Sequence, residues 1–326
     1  MTTAERIYGV LLSETMDLKT YYSLDFGGAA PDVCLLNPDE VTRPEDIRFA
    51  ACWLPGPDAF APYPNLEMAM SVGAGVDALL NHPGLNKDVA VCRVRDPHQA
   101  HLMAGYAVHE VVHFEREFPQ MARNQVAANW DPLPIRAPAD LKVVVLGNGS
   151  MGAAIVRALV AVGFAVSVAC RRPPEDPVAG VTYFPGDNSV AESVVGMNVV
   201  INTLPLTTHT ENVLNANLFS RLAKGAWLVQ IGRGEHLAEA DFIAALESGQ
   251  QLWTYFEPNP CQPTIHSGKI SGCASPRISQ ATQCPILSLS RSCSLPGNCW
   301  RARRLVCRSI RRRAIRIAPA LIIRCN

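Results

Sequence analysis

Acid is what this 326-residue sequence most conspicuously lacks over part of its length. Beyond Glu257 there is no Asp or Glu, while residues 258–326 carry 11 Arg and one Lys. The formal net charge of zero therefore divides into −12 on residues 1–257 and +12 on the remainder. Long apolar runs are missing too. The best of them, around Ala153–Ala169, is broken by Arg157 and Gly163, so no membrane span is expected. The opening MTTAERIYGV has no apolar core after a basic start, which argues against a secretory leader. A cytoplasmic, reducing location follows, with Cys34, Cys52, Cys92 and Cys170 as small buried hydrophobes. The seven cysteines from Cys261 onward contain no C-x2-C pair and meet no matching His pair, so no metal site is expected. What remains is 48% hydrophobic and 18% charged, the balance of a globular enzyme with length enough for two domains.

The first hundred residues alternate short apolar runs with Pro-rich turns. DIRFAACWLPGP reads as a strand entering a loop, LEMAMSVGAGVDALL as a strand, a Gly turn and a helix start, and DVAVCRV as a further strand. LMAGYAVHEVVHFEREF (Leu102–Phe118) spaces its apolar residues as one long helix. WDPLPIRAPADL (Trp130–Leu141) is Pro-rich and is the expected passage between lobes. From Lys142 the pattern is strand, Gly turn, helix and strand. MNVVINTLPLT and GAWLVQIGRGE add two buried strands, each with polar residues at its carboxyl end, and LAEADFIAALESG adds a helix stopped by Gly249. Strands alternating with helices predict an α/β fold built on parallel sheets.

Gly147-Asn148-Gly149-Ser150-Met151-Gly152 follows an apolar strand and opens a helix, the setting a dinucleotide-binding fingerprint requires. Gly147 permits the tight turn, Gly149 lets backbone approach a pyrophosphate, and Gly152 lets helix and strand pack closely. The helix start supplies N–H donors and the positive end of its dipole. An NAD enzyme usually carries Asp or Glu at the end of the next strand, to hold the ribose 2′-hydroxyl. Here Cys170-Arg171-Arg172 stands instead, and two guanidinium groups suit a 2′-phosphate. For either Arg alone a solvated surface charge is the plain alternative; the pair, without an acid, favours NADP(H) over NAD(H). His109 and His113 lie one helical turn apart, which fits packing or surface better than metal ligation without a third ligand. His236 is expected to be exposed.

Several motifs in order, LGNGSMG, NTLPLT and QIGRGEHLAEADFIAALESGQ, resemble the D-isomer-specific 2-hydroxyacid dehydrogenases. CWLPGP, YPNLEMAMSVGAGVDALL and NWDPLP resemble their bacterial glyoxylate/hydroxypyruvate reductase A branch. The resemblance covers about residues 1–250. It implies two Rossmann-like or flavodoxin-like lobes: a substrate-binding lobe over residues 1–100 and an NADP-binding lobe over 101–250. The implied reaction moves a hydride from NADPH to the carbonyl of a small 2-oxo acid. Arg233 matches the family's catalytic arginine, which holds the substrate carboxylate, and a fixed planar cation is what a small anion needs. Ala74 and Gly75 match a backbone carboxylate-binding turn, and Trp53 matches an aromatic near the substrate, with a core Trp as the alternative. Leu204, Pro205 and Ile231 match residues lining the cofactor. The family also implies a homodimer through the long helix near 102–118, and gives no reason to expect nucleic acid or membrane as a partner.

Two family segments are missing: a DVF..EPLP stretch carrying a Glu, and a later TPHI carrying the His that protonates the carbonyl oxygen. Neither YFEPNP around Glu257 nor the surroundings of His266 reproduces them. Both return one nucleotide earlier. A coding sequence for Trp253–Thr264 can be read in that frame as LDVFRTEPLPAD, and one for Ile265–Ser279 as HPFWQDFRVRVTPHI. Cys284–Cys299 likewise yields MPDPVVEPVVQLAGKL, an amphipathic helix. The seam near Gln250–Leu252 is thus expected to be a frameshift, with residues 251–326 an out-of-frame, disordered tail and activity impaired. A reading from another class takes the chain as an inactive dinucleotide-binding module whose basic tail, with RSIRRRAIR at Arg308–Arg316, binds nucleic acid or anionic surfaces.

Overall fold

The computed structural model describes residues 6–22, 32–94 and 96–248, together with the backbone of 253–256. The expectations for Gly249, for the seam and for the tail lie outside the described residues. The described chain forms two compact units that meet in sequence between Asp96 and Pro97, and the Pro-rich segment 130–141 belongs to the second of them.

The first unit carries β1 (Ile7–Leu12), α1 (Leu18–Tyr21), β2 (Val33–Leu36), β3 (Ile47–Cys52), β4 (Met68–Ser71), α2 (Asp77–Leu80) and β5 (Ala90–Arg93). All pairings are parallel and the order is β2-β1-β3-β4-β5, the flavodoxin-like winding. Its core joins Val10, Ile47, Ala50 and Ala69 of the strands to Phe60, Tyr63 and Leu79 of the connections. The register sets Leu12, Cys52, Ser71 and Arg93 in one row, so β1, β3, β4 and β5 end level.

The second unit opens with α3 (Pro97–Glu115) and α4 (Phe118–Val126). The single helix expected over Leu102–Phe118 is therefore interrupted, and Glu117 takes a left-handed φ of 53° between the two. Pro119 is the reason: it has no N–H to bond the Glu115 carbonyl and its ring would clash with that carbonyl in a continued helix, whereas the first turn of a new helix accepts it. Next come β6 (Lys142–Leu146), α5 (Ser150–Val162), β7 (Ala165–Cys170), β8 (Thr182–Pro185), α6 (Ser189–Ser193) and β9 (Val199–Asn202). Then α7 (Ala216–Phe219), β10 (Trp227–Gln230), α8 (Glu239–Glu247) and β11 (Trp253–Phe256) follow. The parallel order β11-β10-β9-β6-β7-β8 is that of a doubly wound dinucleotide-binding sheet.

Its strands are covered on both faces, which is why VVVL in β6 and VVI in β9 read as unbroken apolar runs. Helix α5 buries Ala154, Ile155, Val156 and Leu159 on the sheet, with Arg157 left in solvent. Against it lies α3, whose buried stripe of Ala100, Ala104, Ala107 and Val111 has small side chains that allow close helix approach. The register places Leu146, Asn202 and Gln230 in one row, so β6, β9 and β10 also end level.

Candidate active site

In the second unit the functional residues collect where β6, β7, β9 and β10 end, the crevice side of such a sheet. Gly147 leaves β6 with a φ of 100°, a left-handed conformation that a side chain would strain. Gly152 lies in the first turn of α5, and a Cβ there would stand 2.0 Å from the Gly147 carbonyl oxygen and 3.0 Å from Thr203 Oγ1. Only glycine lets helix and turn come this close. Gly149 caps α5 without any side chain, and a Cβ added to it would meet nothing within 4 Å. Asn148, Ser150 and Met151 complete a loop whose outer face is open and whose first-turn N–H groups point along the helix axis. Thr203, which the sequence did not single out, donates from Oγ1 to the Leu146 carbonyl at 2.8 Å and ties the end of β9 to this loop.

Arg171 and Arg172 follow β7 immediately and are exposed. Among the described residues neither guanidinium is paired with an acid, so both charges are available to an anion. Cys170, just before them, is buried, and burial raises its thiol pKa, which suits packing and not nucleophilic chemistry. Leu204 and Pro205 continue from β9, Leu204 half-buried and Pro205 exposed, while Ile231 is buried beyond β10.

Arg233 sits two residues further along in an extended conformation, half-buried, with Nη1 donating to the Gly232 carbonyl at 3.0 Å. Around its backbone lies a polar cluster that sequence reasoning did not assemble. Asn202, Gln230 and His236 are buried, at 0%, 3% and 0% exposure. The expectation of an exposed His236 is thus corrected: the short 3-10 turn at Gly234–His236 folds the imidazole back beneath Arg233, and Nδ1 accepts from the Arg233 N–H at 3.0 Å. The signal was in the sequence, as polar residues ending two otherwise apolar strands.

In the first unit, Trp53 follows β3 and its ring covers the turn after β4; a Cβ on Gly73 would be 2.8 Å from its Cζ3. Ala74 and Gly75 lie in that turn. Ser71 Oγ accepts from the Gly73 N–H and donates to the Gly73 carbonyl, both at 3.2 Å. Arg93, at the end of β5, donates from Nη1 to the Ala74 carbonyl at 2.8 Å. Trp53 thus lies over the turn that carries Ala74 and Gly75, and Ser71 and Arg93 hold that turn from the ends of β4 and β5. Cys52, beside Trp53, has its thiol pKa pushed up to about 12 by burial and is chemically silent.

His109 and His113 lie with ring centroids 5.6 Å apart and planes tilted by 30°, and His113 also approaches Trp227 at 6.1 Å. Burial holds the His113 pKa below its ordinary value, against a smaller upward pull from Glu110. Among the described residues no three His, Cys, Asp or Glu side chains gather in a way that would hold a metal ion. No described helix is long and apolar enough to cross a membrane.

Known proteins share this fold. Residues 108–261 match the family model of the NAD binding domain of D-isomer specific 2-hydroxyacid dehydrogenases. A glyoxylate/hydroxypyruvate reductase A from Serratia proteamaculans (strain 568) is 35% identical over 213 residues, covering 64% of this chain and 67% of that one. Among solved structures, a D-isomer specific 2-hydroxyacid dehydrogenase from Xanthobacter autotrophicus Py2, in complex with NADPH and MES, superposes with a TM-score of 0.72. It is 30% identical and covers 80% of this chain and 84% of its own. An NADPH-dependent glyoxylate/hydroxypyruvate reductase from Sinorhizobium meliloti, in complex with NADP and sulfate, also gives 0.72, at 25% identity over 81% of this chain and 86% of its own.

Proposed function

The chain belongs to the D-isomer specific 2-hydroxyacid dehydrogenase family, and from that premise we propose that it is built for NADPH-dependent reduction of glyoxylate, hydroxypyruvate or a similarly small 2-oxo acid. The observation that carries the reading is the level ending of β6, β9 and β10, which sets the glycine loop, Leu204–Pro205 and Arg233 along one edge of one sheet. The residues fit the cofactor. Gly152 admits no side chain, Gly149 leaves open space for a pyrophosphate, and Arg171 with Arg172 offer unpaired cations to a 2′-phosphate. NADPH bound there supplies the hydride. Arg233 grips the substrate carboxylate and draws electron density from the carbonyl. In the other lobe, residues 1–100, the turn at Ala74–Gly75 offers backbone N–H groups of the kind that bind a small carboxylate, with Trp53 over that turn.

A proton donor is also needed, and the sequence as written contains neither the Glu segment nor the His segment of the family. We take the frame change near Gln250–Leu252 as the cause. Loss of a general acid typically lowers turnover about 10²–10⁴-fold. The test is to sequence the gene across codons 245–285 and to express both the chain as it stands and a version with the earlier frame restored. NADPH consumption with glyoxylate and with hydroxypyruvate should be slow in the first and faster in the second by that factor. An inactive restored protein would defeat the reading. The same proposal includes a homodimer through the region 102–118. Leu102 and Phe118 are exposed there, and Val126, Trp130 and Ile135, at 91%, 92% and 83% exposure, extend the apolar surface.

A further inference from the structure

We infer that Asn202, Gln230 and His236 are positioning residues: together they clamp the backbone of Arg233 and couple it to the loop at Leu204–Pro205. This rests on the reading of Arg233 as the carboxylate anchor. Three polar side chains buried under the ends of two apolar strands are costly unless every polar atom is used. Here the amide atoms of Asn202 and Gln230 and the Nδ1 of His236 are used on one another and on the loop. Asn202 Nδ2 donates to Gln230 Oε1 at 2.8 Å and to His236 Nδ1 at 3.0 Å, while its Oδ1 accepts from the Leu204 N–H at 3.1 Å. Gln230 Nε2 donates to the Arg233 carbonyl at 2.8 Å, and its Oε1 also accepts from the Gly232 N–H at 3.2 Å. His236 Nδ1 accepts from the Arg233 N–H, and the His236 N–H returns to the Arg233 carbonyl at 3.1 Å.

Two consequences follow from this wiring. Both backbone groups of Arg233 are engaged, so its side chain is carried on a fixed base. Because the Arg233 N–H donates to His236 Nδ1, that nitrogen acts as the acceptor of the ring. Gly232 belongs to the clamp as well, since a Cβ there would stand 2.7 Å from His236 Nδ1 and 2.9 Å from Asn202 Nδ2. Apolar side chains of similar volume would fill the same space at less desolvation cost. They would leave the N–H groups of Gly232, Arg233 and Leu204 without these acceptors. What the polar trio adds is placement, and a small displacement of an anchoring group is expensive in binding and in rate.

The test uses the full chain loaded with NADPH and titrated with oxalate, a two-carbon carboxylate probe, by calorimetry. His236→Leu removes the acceptor, whereas His236→Asn sets Oδ1 near the place of Nδ1. The Leu variant should bind oxalate about tenfold or more weakly, with its affinity for NADPH changed by no more than about twofold. His236→Asn should recover most of the loss. Should His236→Leu not fold, Gln230→Met, which removes the bonds to the Arg233 carbonyl and the Gly232 N–H, takes its place with the same expectation. Unchanged oxalate binding in the Leu or Met variant, or no recovery in the Asn variant, overturns the clamp. If the unmodified chain binds no oxalate, the anchor reading of Arg233 falls. Amide exchange of residues 231–237 then decides the clamp alone: faster in His236→Leu than in His236→Asn supports it, and equal rates overturn it.

Discussion

Replacing Gly152 with Ala separates two forces of opposite sign. Gly152 is in the first turn of α5, where Ala should gain up to about 1 kcal/mol of helix propensity over Gly. The new methyl, however, would arrive 2.0 Å from the Gly147 carbonyl oxygen, a backbone atom that cannot rotate away. Restoring ordinary van der Waals contact requires a retreat of more than about 1 Å. The helix resists that retreat, because Ile155, Val156 and Leu159 are wholly buried against the sheet and α3 packs on its other side. Overpacking of this kind typically costs about 1–3 kcal/mol. The net loss should therefore be about 1–2 kcal/mol, seen as a fall in Tm of about 2–8 °C for a domain of this size. Gly149→Ala is the companion. Its added methyl meets nothing within 4 Å and its φ of −72° suits any residue, so Tm should hold. NADPH affinity should nevertheless drop about tenfold or more in both variants, because backbone N–H bonds to a pyrophosphate are charge-assisted. Calorimetry for Tm and fluorescence titration for NADPH settle both arms. A higher Tm in Gly152→Ala, or unchanged NADPH binding in Gly149→Ala, would refute the account of this loop.

Arg171→Ser with Arg172→Ser should weaken NADPH about 10- to 100-fold and leave NADH affinity unchanged, measured by the same titration. His113 should make the fold acid-sensitive. Its folded pKa lies below the ordinary 6.5, so as pH falls through about 6.5 the unfolded chain takes up a proton first and stability declines until the lower folded value is passed. His113→Phe should remove that component, visible as a smaller shift of the urea midpoint between about pH 7 and about pH 5. Iodoacetamide labelling, read peptide by peptide, should modify the half-buried Cys34 in the native protein, while Cys52, Cys92 and Cys170 react only after denaturation. Trp130→Glu should convert a dimer into monomers in light scattering and leave the Tm of the monomer unchanged.

The cofactor lobe was easy to read because its elements announce themselves locally. An apolar run, a glycine turn and a helix with a glycine at each critical approach occur within about twenty residues of Lys142. Arg233 was legible because Gly neighbours and a preceding apolar strand frame it. Asn202, Gln230 and His236 were not, although each was visible as a polar residue near a strand end. What joins them is the register that lines up β9 with β10, a tertiary fact separated by 28 and 34 residues of sequence. The same holds for Arg93, which reaches Ala74 only through the pairing of β4 with β5. The break between α3 and α4 was missed for a different reason. Apolar spacing carried across it, and the local veto of Pro119 outweighed the periodicity.

Strand β11 pairs with β10 in register from Trp227 with Trp253 to Gln230 with Phe256. Such a ladder is made by main-chain groups that every residue except proline supplies. The β10 edge thus recognises extended chain and not its spelling, and accepts Trp253–Phe256 from whichever frame encodes them. Under the frame reading proposed above, the sheet is finished four residues beyond the damage, and the chemistry lies further on. Under that same reading the protein would hold NADPH and turn it over only slowly, so that it acts more on the pool of free cofactor than on the pool of product.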